Sequence, residues 1–287
     1  MKTEIRASTQ LCAVIGNPIS HSLSPEIHNS AYHETGLDFV YVAFRVDNLQ
    51  DAIAGMRSLD NFKGMSVTIP HKIEAIKYVD DVEEVDRHIG SINTIVKEND
   101  KLVGFGTDGP GALKALHDAN IDLKNAHVLM LGCGGAARAI AFTLVKNAPL
   151  SELLLLDINK QLLDTLSTDL QKGSDCKIQS NVLTDDSLEQ AMKRANIVIH
   201  CTPIGMHPNH DQSLIPKELF QANQVIFDIV YTPFETKLLK DAKSCGLKVI
   251  HGVNMFVNQA VLQFERFTGT QAPYEAMRHV VMEHLTK

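Results

Sequence analysis

The chain has 287 residues, 44% of them hydrophobic, and a formal net charge of -7. That length suggests about two domains, and the acidic balance excludes nucleic acid and anionic membrane as the main partner. There is no block of like charge, no low-complexity tract and no repeat of solenoid length. The segment 1–10 is polar and mixed in charge, without an apolar signal region, and no stretch is long enough to span a bilayer, so a cytoplasmic protein is expected. Five cysteines are scattered without a C-x-x-C pair and read as reduced thiols. Cys12 and Cys201 sit in apolar runs, and Cys133 has no base evident beside it. Thirteen histidines show no metal-ligand spacing, so no metal is expected.

In chain order, Leu11 to Ile15 reads as a strand. Ser24-Pro25-Glu26 opens a helix that stops near Gly36: Ser can cap, Pro suits the first turn, and Glu complements the dipole. Tyr41 to Val46 alternates like a strand. Leu49, Ile53, Met56 and Leu59 recur at helical spacing. Met65 to Ile69 is a short strand closed by Pro70, and Ile73 to Val79 is helical. Ser91 to Val96 and Leu102 to Phe105 flank Asn99-Asp100 as a hairpin. Pro110 to Ala119 is another helix. Strands then follow at 127–131, 152–156, 196–201, 225–230 and 248–251. Helices fall between them, including Ser187 to Arg194 and Phe234 to Ser244. Such alternation predicts a parallel sheet covered on both faces. Met255 to Phe267 is a long apolar-faced helix, and the C-terminal segment is helical again. The expected class is α/β with two domains: residues 1–112 completed by 253–287, and a doubly wound domain over 113–252.

The strongest local signal is His127-Val-Leu-Met-Leu-Gly132-Cys-Gly134-Gly135-Ala136-Ala137. A buried strand ends in Gly-x-Gly-x-x-Ala and an apolar helix follows. Gly132 allows the turn, Gly134 exposes bare backbone to a phosphate, and Ala137 lets helix and strand pack closely. The helix start offers free N–H groups to a pyrophosphate. Leu153 to Leu156 then ends in Asp157, 20 residues after Ala137, where a carboxylate can accept from an adenosine ribose. Together these features predict a Rossmann-type nucleotide site.

In the first half, polar residues gather at element ends: Ser20 to Ser24, Thr68 to Lys72, Ser91 to Thr94, and Gly106 to Gly109. Ligands bind outside the carboxyl ends of parallel strands. Hydroxyls, an amide, Lys72 and Asp108 there suit a small polyhydroxylated substrate, with Lys72 and Asp108 as the groups to exchange its proton. Spacing alone leaves plainer roles open. Ser24 equally caps its helix, Lys72 reads as a solvated first-turn lysine, and Asp108 reads as a turn or cap residue. Asn93 can serve a loop backbone, and Asp157 can cap the next helix.

Gly16-Asn-Pro-Ile-Ser-His-Ser-Leu-Ser-Pro25, Val67-Thr-Ile-Pro-His-Lys72, Gly90-Ser-Ile-Asn-Thr94 and Gly106-Thr-Asp108-Gly109 resemble the shikimate/quinate dehydrogenase family. The resemblance continues through Gly132-Cys-Gly-Gly-Ala136, Cys201-Thr-Pro-Ile-Gly-Met206, Asp228-Ile-Val-Tyr231 and Gly252-Val-Asn-Met255 to Gln259. It implies an NAD(P)-dependent oxidation of shikimate, and of quinate as a second substrate. Ser22 and Ser24 would hold the substrate carboxylate, and Thr68, Asn93 and Gln259 the ring hydroxyls, with Tyr231 nearby. Lys72 and Asp108 would be the catalytic pair. Gly132, Gly134, Gly135, Ala136 and Asp157 would carry the nucleotide, with Thr202 and Met206 along the cofactor and Val230, Gly252 and Met255 at its nicotinamide end. A homodimer is expected on the same grounds and on base rate.

One departure bears on the cofactor. Biosynthetic members of the family resemble Asn-Arg-Thr after the second strand of this domain, where Arg meets the 2′-phosphate of NADP. This chain has Asp157-Ile158-Asn159-Lys160. A carboxylate repels that phosphate and suits a ribose hydroxyl, so NAD is expected, with NADP open through Lys160. Two other readings stand beside this one: a dehydrogenase of another cyclic polyol or an aminoshikimate, and a non-catalytic nucleotide sensor.

Overall fold

The computed structural model describes residues 5–172, 174–206 and 208–286. The elements begin with β1 (Gln10–Gly16), α1 (Ser24–Thr35), β2 (Phe39–Arg45), α2 (Leu49–Arg57), β3 (Phe62–Val67), a 3-10 segment (Glu74–Tyr78), β4 (Asp81–Val82), α3 (Glu84–Ile89), β5 (Thr94–Glu98) and β6 (Lys101–Phe105). Next come α4 (Asp108–Asp118), β7 (His127–Leu131), α5 (Gly135–Asn147), β8 (Glu152–Asp157), α6 (Lys160–Gln171), β9 (Lys177–Val182), α7 (Asp185–Met192) and β10 (Ile197–His200). A 3-10 turn (Lys217–Leu219), β11 (Val225–Asp228), α8 (Lys237–Ser244), β12 (Lys248–His251), α9 (Gly252–Thr268) and α10 (Tyr274–Leu285) complete the chain.

Two compact units result: Met1–Thr107 with Val257–Lys287, and Asp108–Phe256. The sequence places these bounds at 112 and 252 instead. The difference has a packing cause at the first crossing. A Cβ on Gly109 would lie 2.0 Å from Thr143 Oγ1 and 2.6 Å from the Ala139 carbonyl, so α4 is seated on α5 from its first turn. At the second crossing α9 is one uninterrupted helix, and the boundary falls inside it.

The first unit holds a mixed sheet in the order β2-β1-β3-β5-β6-β4. β1 runs parallel to β2 and β3, while β5 is antiparallel to β3 and β6. Asn99 and Asp100 both have positive φ, as a two-residue hairpin turn requires. One face of the sheet packs Ile15, Ile53, Met65, Val67 and Ile95. An aromatic group with His28, Tyr32, Tyr41, Phe264 and Phe267 fills α1, β2 and α9. Gly64 makes that seat possible, because a Cβ there would lie 2.6 Å from the Phe267 ring and from the Ile95 carbonyl. The short β4 and α3 carry too little periodicity to be read from sequence.

Asp86 of α3 is buried and accepts the Gly106 N–H at 2.8 Å. Burial raises its carboxyl to about 6 from 3.8. The unfolded chain releases this proton more readily, so the stability it contributes is full below pH 3.8 and is lost as pH rises through 6. Asp86→Asn keeps an acceptor for Gly106 and removes the buried charge. Its expected advantage is about 2–3 kcal/mol at pH 8, shrinking toward zero by pH 4. Denaturant melts of both proteins across that range test this, and a gap that does not change with pH rules it out.

The second unit is an all-parallel sheet in the order β12-β11-β10-β7-β8-β9. Helices cover both faces, with Ile140, Leu163 and Leu166 in one layer and Leu188, Leu238 and Leu239 in the other. The order reverses between β7 and β10, which is the switch point of a doubly wound fold. β9 is absent from the sequence expectation. It is a polar edge strand, Lys-Ile-Gln-Ser-Asn-Val, with no fully buried residue and without the apolar run that marks a buried parallel strand. No described helix is long and apolar enough to cross a membrane, and no cluster of potential metal ligands occurs among the described residues.

Candidate functional site

In the first unit, the parallel strands β1 and β3 end at the edge where the antiparallel β5 begins. This brings the loops after β1 and β3 together with Asn93. Backbone bonds tie them: Thr68 N–H to Ile15 O at 2.9 Å, Val67 N–H to Asn93 O at 2.8 Å, and Ile92 N–H to Lys72 O at 2.9 Å. The buried His71 ring nitrogen lies 2.8 Å from the Val46 carbonyl and fixes the loop that carries Lys72. Ser22 and Ser24 stand together, with the Ser24 N–H donating to Ser22 Oγ at 3.3 Å. Ser24 does not cap α1. Leu23 holds the cap position without a side-chain bond, and Ser24 is the first helical residue. Its hydroxyl is therefore not spent on the helix end.

Asn93 is the centre of this cluster. Its Oδ1 accepts the Thr107 N–H at 2.8 Å and the Thr94 hydroxyl at 3.0 Å. Its Nδ2 donates to Thr107 Oγ1 at 2.9 Å and faces Gln259 Oε1, from α9, at 3.4 Å. All four residues are buried. A second layer lies behind them: Tyr41 donates to Ser66 Oγ at 2.6 Å, Ser66 to Gln263 Oε1 at 2.9 Å, and Gln263 Nε2 to Thr94 Oγ1 at 3.0 Å. Burial pushes the Tyr41 phenol well above its ordinary range, so it remains a donor. The orientation of the Asn93 amide is thus set from two sides. Sequence reading misses Thr107 and Gln263. Their signal was a hydroxyl next to Asp108 and a second Gln one helical turn after Gln259.

In the second unit, β7 runs into Gly132, whose φ of 98° requires glycine. Its N–H donates to Leu156 O at 2.8 Å. Gly134 caps α5 and Gly135 begins it, followed by Ala136 and the buried Ala137. A Cβ on Gly134 would meet nothing within 4 Å, so bare backbone and the helix start face open space, which fits a pyrophosphate. The buried Cys133 thiol is pushed up to about 12 by burial and by Asp157, and is no nucleophile.

Asp157 ends β8. Its Oδ2 accepts the Cys133 N–H at 2.6 Å and its Oδ1 the Asn159 N–H at 2.7 Å. The cap of α6 is Asn159, which accepts from Gln161 and Leu162, so the capping role for Asp157 is excluded. Ile158 is 80% exposed, and Lys160 is ion-paired with Asp164 at 2.5 Å. At the other half of the sheet, a Cβ on Gly252 would lie 2.4 Å from the Val230 carbonyl, so loop and helix backbones touch there. Met255 is buried in the core, Met206 is exposed, and Tyr231 stacks on Phe256 at 4.3 Å. Thr202 follows β10, with its hydroxyl 2.5 Å from His200 Nε2. Asp108, the first residue of α4, is buried.

Residues 14–95 match the shikimate dehydrogenase substrate binding domain, and residues 252–282 the shikimate 5′-dehydrogenase C-terminal domain. A shikimate dehydrogenase (NADP(+)) of Bacillus subtilis is 39% identical over 96% of this chain and 98% of its own. A crystal structure of shikimate dehydrogenase in complex with NADP+ superposes with a TM-score of 0.90 at 35% identity, covering 99% of each chain. The shikimate 5-dehydrogenase of Listeria monocytogenes in complex with shikimate and NAD does so with 0.89 at 30% identity, covering 98% of this chain and 99% of that one.

Proposed function

The chain belongs to the shikimate dehydrogenase family, and we propose that it interconverts shikimate and 3-dehydroshikimate with NAD as its preferred cofactor. The observation that carries the substrate reading is the buried Asn93–Thr107–Gln259 cluster, stitched through Ile92 to the backbone of Lys72. Its fixed amides and hydroxyl suit the ring hydroxyls of a small polyol. Ser22 and Ser24 bind the carboxylate, Thr68 assists the hydroxyls, and Tyr231 lines the ligand. A bound nicotinamide supplies hydride to the carbonyl carbon or takes it from the alcohol carbon. Lys72 delivers a proton to the carbonyl oxygen in reduction and receives it in oxidation, with Asp108 orienting the amine. The same reading carries quinate as a second substrate and a cytoplasmic homodimer.

Cofactor preference follows from Asp157. Its two oxygens already hold the glycine turn and the next loop, and each retains acceptor capacity for a ribose hydroxyl. The adjacent cation, Lys160, is engaged by Asp164, and the position after Asp157 carries Ile instead of a phosphate-binding Arg. Initial rates in a four-way grid of shikimate or quinate with NAD+ or NADP+ test the reading. NAD+ with shikimate is expected to be fastest. The double substitution D157N/I158R is expected to raise kcat/KM for NADP+ relative to NAD+ by about tenfold or more. A wild-type preference for NADP+ overturns the cofactor assignment, and no rate in any combination overturns the substrate.

A further inference from the structure

A buried polar chain at the end of β10 has no place in the hydride and proton steps. His200 and Asp228 are at most 1% exposed and are register partners on β10 and β11. His200 Nδ1 lies 3.0 Å from Asp228 Oδ1. That oxygen also accepts the Val230 N–H at 3.0 Å, and Oδ2 accepts the Thr236 hydroxyl at 2.6 Å. Two donors, the Val230 N–H and the Thr236 hydroxyl, already converge on Asp228; an ionised carboxylate only accepts, so His200 Nδ1 carries the proton in this pair. In the neutral ring Nε2 is then an acceptor. Thr202 Oγ1, 2.5 Å away, must turn its single proton inward to it. The same oxygen accepts the Ile204 N–H at 3.2 Å. Of its two lone pairs one remains.

The place of that residue is defined. Thr202 follows β10, and its methyl lies 3.2 Å from where a Cβ on Gly132 would stand. It therefore adjoins the glycine turn on the β10–β11–β12 side of the switch point. An oxygen that can only accept repels phosphate oxygens and welcomes N–H or O–H groups.

We infer that His200 is a positioning residue that, backed by Asp228, makes the Thr202 hydroxyl an obligate acceptor for an N–H or O–H donor on the nicotinamide-nucleoside half of the dinucleotide. This rests on the nucleotide reading above. It also gives the cofactor its direction along the sheet: donors at the start of α5 take the pyrophosphate, and one strand away an acceptor takes the nucleoside. The donor is the carboxamide N–H or a ribose hydroxyl, which share this chemistry.

Calorimetric titration of the full chain with NADH tests it. Thr202→Val, which keeps the shape and removes the hydroxyl, is expected to weaken binding about tenfold, and Thr202→Ser to restore most of that loss. His200→Asn keeps a donor for Asp228 and removes the acceptor for Thr202. Its loss is expected to be similar, and the double variant no weaker than either single one. Long-range ¹H–¹⁵N spectra of the wild-type protein at pH 7 are expected to show His200 protonated at Nδ1 and bare at Nε2, a readout independent of any variant's folding. The 3-acetylpyridine analogue of NADH lacks the amide N–H. If the Thr202→Val loss vanishes with it, the donor is the carboxamide; if the loss persists, the donor is the ribose; either supports the inference. Wild-type affinity in Thr202→Val, a protonated Nε2, or additive losses in the double variant overturn it. A wild-type protein that binds no dinucleotide removes the nucleotide reading and this inference together, whereas normal NADH binding unmoved by Thr202→Val removes the inference alone.

Discussion

Lys72→Met is expected to lower kcat for shikimate oxidation by about 10²–10⁴-fold while the KM values move only a few-fold. Methionine preserves the length and apolar stem of the side chain and removes the amine that exchanges the proton with the substrate oxygen. The loop that carries residue 72 is fixed independently of that amine, through the Ile92 N–H and the His71 ring. Substrate contacts through Ser22, Ser24, Asn93 and Gln259 remain. Lys72→Arg is not expected to rescue the rate, because a planar guanidinium does not lose its proton at working pH. Steady-state rates over both substrate concentrations make the test. A Lys72→Met protein that retains wild-type kcat removes the lysine from the chemistry.

The second large effect concerns acid stability and rests on His28. The ring is fully buried and stacked on Tyr41 at 4.3 Å and 5°, with Phe267 and Tyr32 around it. Neither ring nitrogen has a hydrogen-bond partner among the described residues. Burial lowers its pKa from 6.5 to about 3, against a weaker opposing pull from Gln263. The unfolded chain takes up this proton below pH 6.5 and the folded one does not. The contribution is therefore present above pH 6.5 and lost as pH falls toward 3, amounting to about 3 kcal/mol by pH 4. His28→Phe removes the titration while keeping a ring in the stack. Urea melts from pH 7 to pH 4 are expected to show the wild-type protein losing ground to the variant by that amount. Parallel curves exclude His28 as the source.

What the sequence discloses depends on whether the signal is local. The glycine turn, its flanking strand and helix, and the acid at the next strand end lie within one contiguous βαβ unit, and the fold shows them where the pattern put them. β9 was illegible because an edge strand need not be apolar. Ser24 was ambiguous because a serine before Pro has the composition of a cap, and only the backbone shows Leu23 there. The Thr107–Gln259 and Ser66–Gln263 contacts join residues 152 and 197 positions apart, which periodicity does not connect. His200 and Asp228 lay closer to reach. Each falls at the end of an expected strand, and parallel neighbours bring such ends side by side.

The first unit is discontinuous in sequence, and this matters while the chain is being made. Residues 108–256 are contiguous and can close their own sheet as they leave the ribosome. The β1–β6 sheet emerges earlier, yet Phe264, Phe267 and Gln263 are delivered only with the last helices. At about 5–20 residues per second, the aromatic face around His28 and Tyr41 stays wet for seconds after its own strands exist. The first unit's aromatic core therefore cannot be completed before α9 is made, whereas every strand of the second unit lies within residues 108–256.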